Sequence, residues 1–105
     1  MTIICRDDLT QGYKVVQSAH ALADFAVKHQ DEFLNWQMGS NYLCCLEASE
    51  MKINLTIEKL ESLGIKYHIF CEPDIGNKMT AIAVEALDRT QHSKLFKKFK
   101  LTLSK

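Results

Sequence analysis

Arg6-Asp7-Asp8-Leu9, then Gly12, then Gln17-Ser18-Ala19-His20-Ala21 gather a guanidinium, two carboxylates, an amide and an imidazole in one short stretch. A histidine titrates near cellular pH, so His20 can take or give a proton at a reacting ester or amide. On a helix, Gln17 lies one turn before His20 and Asp24 one turn after it. Asp24 can then orient the imidazole, and Gln17 can hold a carbonyl or phosphate oxygen. Without such neighbours, a histidine at the border of a helix face is ordinarily structural. A second set of acids, Glu72 and Asp74, flanks Pro73, whose ring stiffens their separation. Brought near the start of the first helix, one of these carboxylates would orient a water or pair with His20. Left alone, they form a solvated polar turn.

Other chemistries find little support. His20, His29, His68 and His92 are widely spaced, and no H-E-x-x-H or Cys/His cluster suggests a metal site. No nucleophile elbow, phosphate-binding loop or dinucleotide fingerprint is present, so no cofactor is expected. Ser18 and Ser40 lack the setting of a nucleophile. Asp7, Asp8, Glu72 and Asp74 do not form the dense oxygen-ligand loop that calcium requires. Cys5, Cys44, Cys45 and Cys71 each fall in an apolar, strand-like segment and read as buried free thiols, which suits a reducing cytoplasm.

The 105 residues, 47% of them hydrophobic, suit one modest core and a single domain over residues 1–105. The apolar runs are too short and too interrupted by charge to span a bilayer. Met1–Arg6 lacks the regions of a signal peptide. A net charge of zero argues against strong nucleic-acid binding, but the charge is uneven. Residues 1–77 hold six Lys/Arg against eleven Asp/Glu, and residues 78–105 hold seven against two. Lys94, Lys97 and Lys98 can face an anionic partner, or form the solvated side of a last helix.

The elements that must position these groups follow from periodicity and punctuation. Thr2 to Arg6 reads as a buried strand and Asp7 to Gly12 as a turn, with Thr10 or Asp8 as helix cap. Tyr13 to Gln30 is helical, with Val15, Ala19, Leu22, Ala23 and Ala26 as its apolar stripe. Lys14, Gln17, Asp24 and Lys28 fall on the opposite face, and His20 on the border. Asp31 to Gln37 forms a short helix anchored by Phe33, Leu34 and Trp36. Tyr42 to Leu46 reads as a strand covered on both faces. Ser49 caps a helix through Leu63, whose inward stripe is Ile53, Ile57 and Leu60, and Gly64 closes it. Ile65 to Cys71 and Met79 to Ala86 are strands joined by the loop Glu72–Asn77. Thr90 starts a last helix that turns Leu95, Phe96 and Phe99 inward, and Leu101 to Leu103 add an extended piece. The expectation is a three-layer α/β sandwich around a mixed four-stranded sheet, in the order β-α-α-β-α-β-β-α.

Arg6-Asp7-Asp8-Leu9, Gly12 and Gln17-Ser18-Ala19-His20-Ala21 resemble the second, archaeal-eukaryotic type of peptidyl-tRNA hydrolase. Leu63-Gly64-Ile65, ahead of a strand and an acidic loop, extends the likeness, and the element order carries it over nearly the whole chain. The resemblance implies a mixed α/β domain, commonly a homodimer, that hydrolyses the ester between a peptide and the 3′ end of tRNA. It places His20 and Gln17 on the helix motif, and Arg6 and Asp8 on the strand-end signature. The family's lysine, four residues before the glutamine, becomes Tyr13, with Lys14 beside it. The family's Asp-Ala-Gly loop becomes Glu72-Pro73-Asp74, and its following threonine has no counterpart short of Thr80, deep in the next strand. On this resemblance His20, Lys14, Glu72 and Asp74 are the catalytic candidates. Arg6, Asp8, Tyr13, Gln17, Lys94, Lys97 and Lys98 are the candidates for binding the ester end and backbone of a tRNA. A relative that has lost catalysis and serves as a small binding or regulatory protein is the competing expectation.

Overall fold

The computed structural model of the chain describes residues 1–102. The elements are β1 (Thr2–Arg6), α1 (Gln11–Lys28), α2 (Gln30–Met38), β2 (Cys44–Ala48), α3 (Glu50–Leu63), β3 (Tyr67–Glu72), a 3-10 turn (Pro73–Ile75), β4 (Lys78–Val84), α4 (Arg89–Phe96) and β5 (Lys100–Leu101). The caps set most of these bounds. The Thr10 hydroxyl accepts from the Tyr13 amide at 3.3 Å, and the Ser49 hydroxyl from the Lys52 amide at 3.2 Å. Asp88, rather than Thr90, caps the last helix, because its carboxylate accepts from the Gln91 amide at 2.8 Å. Gly64 ends α3 in the left-handed region at φ 69°, where a side chain would be strained.

The sheet is mixed and has five strands in the order β3-β4-β1-β2-β5. β1 and β2 are parallel, and the other neighbours are antiparallel. This corrects the four-strand expectation. Lys100 and Leu101 pair with Glu47 and Leu46, so the terminal piece becomes a fifth strand; Leu103 lies outside the described residues. β2 starts two residues later than expected, since Tyr42 and Leu43 stand exposed and only Cys44–Ala48 find ladder partners.

Alternation along β1 sends its side chains to two cores. Ile3 and Cys5 join Ala81 and Ala83 against Ala21, Phe25 and Trp36 of α1 and α2. Ile4 joins Leu46, Ile82 and Val84 against Ile53 and Leu60 of α3 and Phe96 of α4. Helices therefore cover both faces. Cys71 does not follow the expected pattern of buried thiols: on edge strand β3 it is exposed, while Cys5 is buried and Cys44 and Cys45 are half-buried.

The largest correction concerns α1. Its fully buried positions are Gln17, Ala21 and Phe25, while Val15, Ala19 and Ala23 face outward. Hydrophobicity alone misplaces the stripe because two polar side chains, Lys14 and Gln17, point into the sheet. They can do so because charged and hydroxyl partners await them there.

Candidate active site

The parallel strands β1 and β2 end side by side at Arg6 and Ala48, and α1 and α3 begin just beyond them. Two helix N-termini thus converge on one end of the sheet, where groups from four strands meet α1. On the α1 face, Glu47 of β2, Cys5 of β1, Thr80 of β4 and Glu72 of β3 form a polar row at the strand ends.

Thr80 reaches that row through a β-bulge. Phe70 pairs with Ala81, but Cys71 pairs with Met79, so Thr80 is an extra residue in β4. Without the bulge, strict alternation would put Thr80 on the face of Ile82 and Val84. With it, the buried Thr80 hydroxyl donates to Gln17 Oε1 at 2.8 Å. Gln17 Nε2 in turn donates to Glu72 Oε1 at 3.1 Å. The acceptor-only carboxylate of Glu72 fixes which end of the amide is the donor, and the Thr80 hydroxyl then donates to the other end. Both ends of the Gln17 amide are engaged inside the protein. Gln17, expected to hold a substrate oxygen, is buried here and holds Glu72.

Lys14, one turn before Gln17, donates from Nζ to Glu47 Oε2 at 2.5 Å. The side chains are 12% and 5% exposed. The hydrogen bond to Glu47 raises the Lys14 ammonium above the usual lysine range, so it remains charged at neutral pH. The Cys5 thiol lies beneath this pair and 3.8 Å from Thr102 Oγ1. Burial pushes it above the ordinary thiol range.

Arg6 and Asp8, expected to bind substrate, bind each other. The guanidinium grips Asp8 through Nε at 3.0 Å and Nη2 at 2.6 Å. Nη1 reaches Glu50 Oε2 and the Met79 carbonyl, each at 3.2 Å. The paired hydrogen bond holds the Asp8 carboxyl below the usual aspartate range and raises Arg6 above its own. Arg6 is thus a clamp joining the β1–α1 turn, the start of α3 and the bulged end of β4.

His20 lies on the same side as Glu72. Its ring stacks on Phe70, with centroids 4.7 Å apart and planes 4° from parallel, and Phe70 precedes Glu72 by two residues on the same strand. Asp24, expected to orient His20, instead faces His68 Nε2 through Oδ2 at 3.5 Å. Along the seam between α1 and β3, Gln17 meets Glu72, His20 meets Phe70 and Asp24 meets His68. Asp74 lies exposed in the 3-10 turn beside Glu72, and Tyr13 is exposed in the first turn of α1.

Lys94, Lys97 and Lys98 do not join this site. Phe96 and Phe99 pack against the core beneath α3, which carries these lysines to the opposite face of the sheet. Glu47 is absent from the sequence expectations, and Thr80 enters them only as a residue too deep in its strand to serve. Glu47 had a signal, since an acid within a buried apolar strand demands a cation. For Thr80 the inward turn is what periodicity hides, because a single bulged residue leaves no mark on it.

The family model described as Peptidyl-tRNA hydrolase PTH2 matches residues 1–102. No curated protein matches the sequence. Among solved structures, the chain resembles a protein of unknown function, Atu0240 from Agrobacterium tumefaciens str. C58, with a TM-score of 0.70 and 16% identity over 95% of this chain and 94% of that one. At that identity the likeness speaks for the fold alone. The family match spans every element that builds the polar row, from Arg6 to Thr102, and the chain belongs to the PTH2 family of peptidyl-tRNA hydrolases.

Proposed function

We propose that the chain hydrolyses the ester between a peptide and the 3′ end of tRNA, with Glu72 as the group that orients and deprotonates the attacking water. The observation that carries this reading is the Thr80–Gln17–Glu72 chain of hydrogen bonds, which pins one carboxylate oxygen and leaves the other for a water. The water's proton passes to Glu72 as its oxygen bonds to the ester carbonyl carbon. Collapse of the tetrahedral adduct breaks the bond to the ribose oxygen, which takes that proton and leaves as the 3′-hydroxyl. Lys14, held charged by Glu47 one turn before Gln17 on α1, stabilises the developing oxyanion. Asp74 stands at the open rim of the same loop. Lys94, Lys97 and Lys98 take no part at the ester and would meet RNA backbone only if the tRNA reaches the α3/α4 face.

The proposal includes a cytoplasmic setting, supported by four free thiols, and a second copy of the chain as partner. Val15 is 55% exposed and Leu43 43% exposed beside an apolar groove of about 320 Å³, which Ala19 and Leu22 also line. A homodimer would cover this face. No described helix is long and apolar enough to cross a membrane.

A second reading, a catalytically silent binding protein, is favoured by one observation: Arg6 and Lys14, two cations at the site, are already engaged by carboxylates. The discriminating experiment is multiple-turnover release of peptide from N-acetyl-aminoacyl-tRNA by the purified chain. Turnover that Lys14→Met abolishes supports the hydrolase. A chain that binds the tRNA but releases no peptide at high protein concentration supports the silent relative.

A further inference from the structure

His20 is poorly placed for proton transfer. A catalytic imidazole is ordinarily held by a third group, and the nearby Asp24 is turned to His68. His29 bonds to the Tyr67 carbonyl, whereas His20 has no hydrogen-bond partner among the described residues. What the structure gives His20 is an aromatic backing: its ring lies flat on Phe70, and the residue is otherwise exposed. One ring face is thus covered and the other is open. A flat, rigidly backed ring with an open face is a stacking surface.

We propose that the open face of His20, backed by Phe70, stacks the terminal nucleobase of the RNA whose ester is cleaved at Glu72; the inference rests on the hydrolase reading above. The spacing fits. Phe70 and Glu72 lie on the same face of β3, two residues and so roughly 7 Å apart. Gln17 and His20 lie beside them on α1, three residues and so about 4.5 Å apart along the helix axis. The step along β3 is comparable to the distance from a base to the hydroxyls of its own ribose. A base seated on His20 therefore brings its 3′ ester over Glu72 and Lys14. Stacking reads a base by its π-face rather than its edge, so the subsite tolerates base identity but requires a base. His20 is a positioning residue on this account, and phenylalanine can replace it.

Two measurements with the full chain test this. The first is quenching of 2-aminopurine at the 3′ end of a CC-2-aminopurine trinucleotide. Wild type and His20→Phe should quench it with similar affinity, and His20→Ala should bind roughly ten- to hundred-fold more weakly. The second compares peptide release from peptidyl-tRNA with an intact 3′ adenosine and from one with an abasic 3′ ribose. Wild type should slow by the same factor on the abasic substrate as His20→Ala slows on the intact one. His20→Ala should lose nothing further on the abasic substrate, and His20→Phe should restore the rate. A His20→Phe variant as slow as His20→Ala would overturn the proposal and return the imidazole to proton transfer. Equal rates of wild type on the two substrates would also overturn it. If wild type cleaves neither substrate, the hydrolase reading fails by itself. The trinucleotide then decides the stacking surface alone: quenching lost only in His20→Ala sustains it, and no quenching by wild type ends it.

Discussion

Replacing Thr80 with valine keeps the side-chain shape and deletes the hydroxyl that donates to Gln17 Oε1 at 2.8 Å. Thr80 is wholly buried and Gln17 is 1% exposed, so the orphaned amide oxygen cannot recruit water without lifting α1 off the sheet. A buried acceptor left unsatisfied costs about 1–3 kcal/mol. Unfolding entropy near 2.1 cal/mol/K per residue gives roughly 0.22 kcal/mol/K for a chain of this length. A loss of about 2 kcal/mol therefore lowers Tm by about 9 °C. Adding Gln17→Leu removes the stranded acceptor, so the double variant should be less destabilised than the sum of the two single changes. Thermal unfolding followed by circular dichroism reads both effects. Thr80→Val alone frees the Gln17 amide to rotate away from Glu72, so peptide release should fall by roughly ten-fold or more at a temperature where the chain is folded. A Thr80→Val protein that melts within about 2 °C of wild type and releases peptide at the wild-type rate would refute the reasoning.

Three further outcomes follow from the same geometry. Lys14 is raised above its ordinary range by its bond to Glu47, so the ion pair contributes fully below the unfolded lysine value of about 10.4 and its contribution disappears as pH rises through the higher folded value. Glu47→Gln should therefore melt lower than wild type at pH 7, and the gap in Tm should close in strongly alkaline buffer. Cys71 is exposed, whereas burial raises the thiols of Cys5, Cys44 and Cys45. Iodoacetamide at neutral pH should accordingly modify Cys71 first, as read by peptide mass spectrometry, and comparable early labelling of Cys5 would contradict the packing. Val15→Asp places a charge on the exposed apolar side of α1 and should convert a dimer to a monomer in sedimentation, with Tm otherwise little changed.

The sequence exposed the elements more readily than the faces they turn. Caps and breakers marked α3 and the β3–β4 hairpin, since Ser49, Gly64 and Pro73 act locally through hydrogen bonds and backbone angles. The orientation of α1 was hidden, because its inward face carries Lys14 and Gln17 beside Ala21 and Phe25. That choice depends on Glu47, Glu72 and Thr80, which lie 33, 55 and 63 residues away from their partners. The extended piece at Leu101 was legible but its place in the sheet was not, for a related reason: two residues gain strand character only from pairing with β2. In the site, residue types were legible and pairings were not. The family resemblance makes Arg6 and Asp8 substrate ligands, and nothing in their spacing shows that a guanidinium two residues from a carboxylate will close on it. The charge excess near the C-terminus was plain, yet only the packing of Phe96 and Phe99 places it on the far side of the sheet.

The account centres on Glu72 as the carboxylate that prepares the water. Single-turnover peptide release with enzyme in excess, for wild type and Glu72→Gln side by side, tests it most directly. Glutamine keeps a hydrogen-bonding side chain of the same size but cannot accept the proton. Wild type should drive release to completion, and the variant should bind the tRNA as before while releasing peptide roughly 10²–10⁴-fold more slowly. Equal rates for the two proteins would contradict the account.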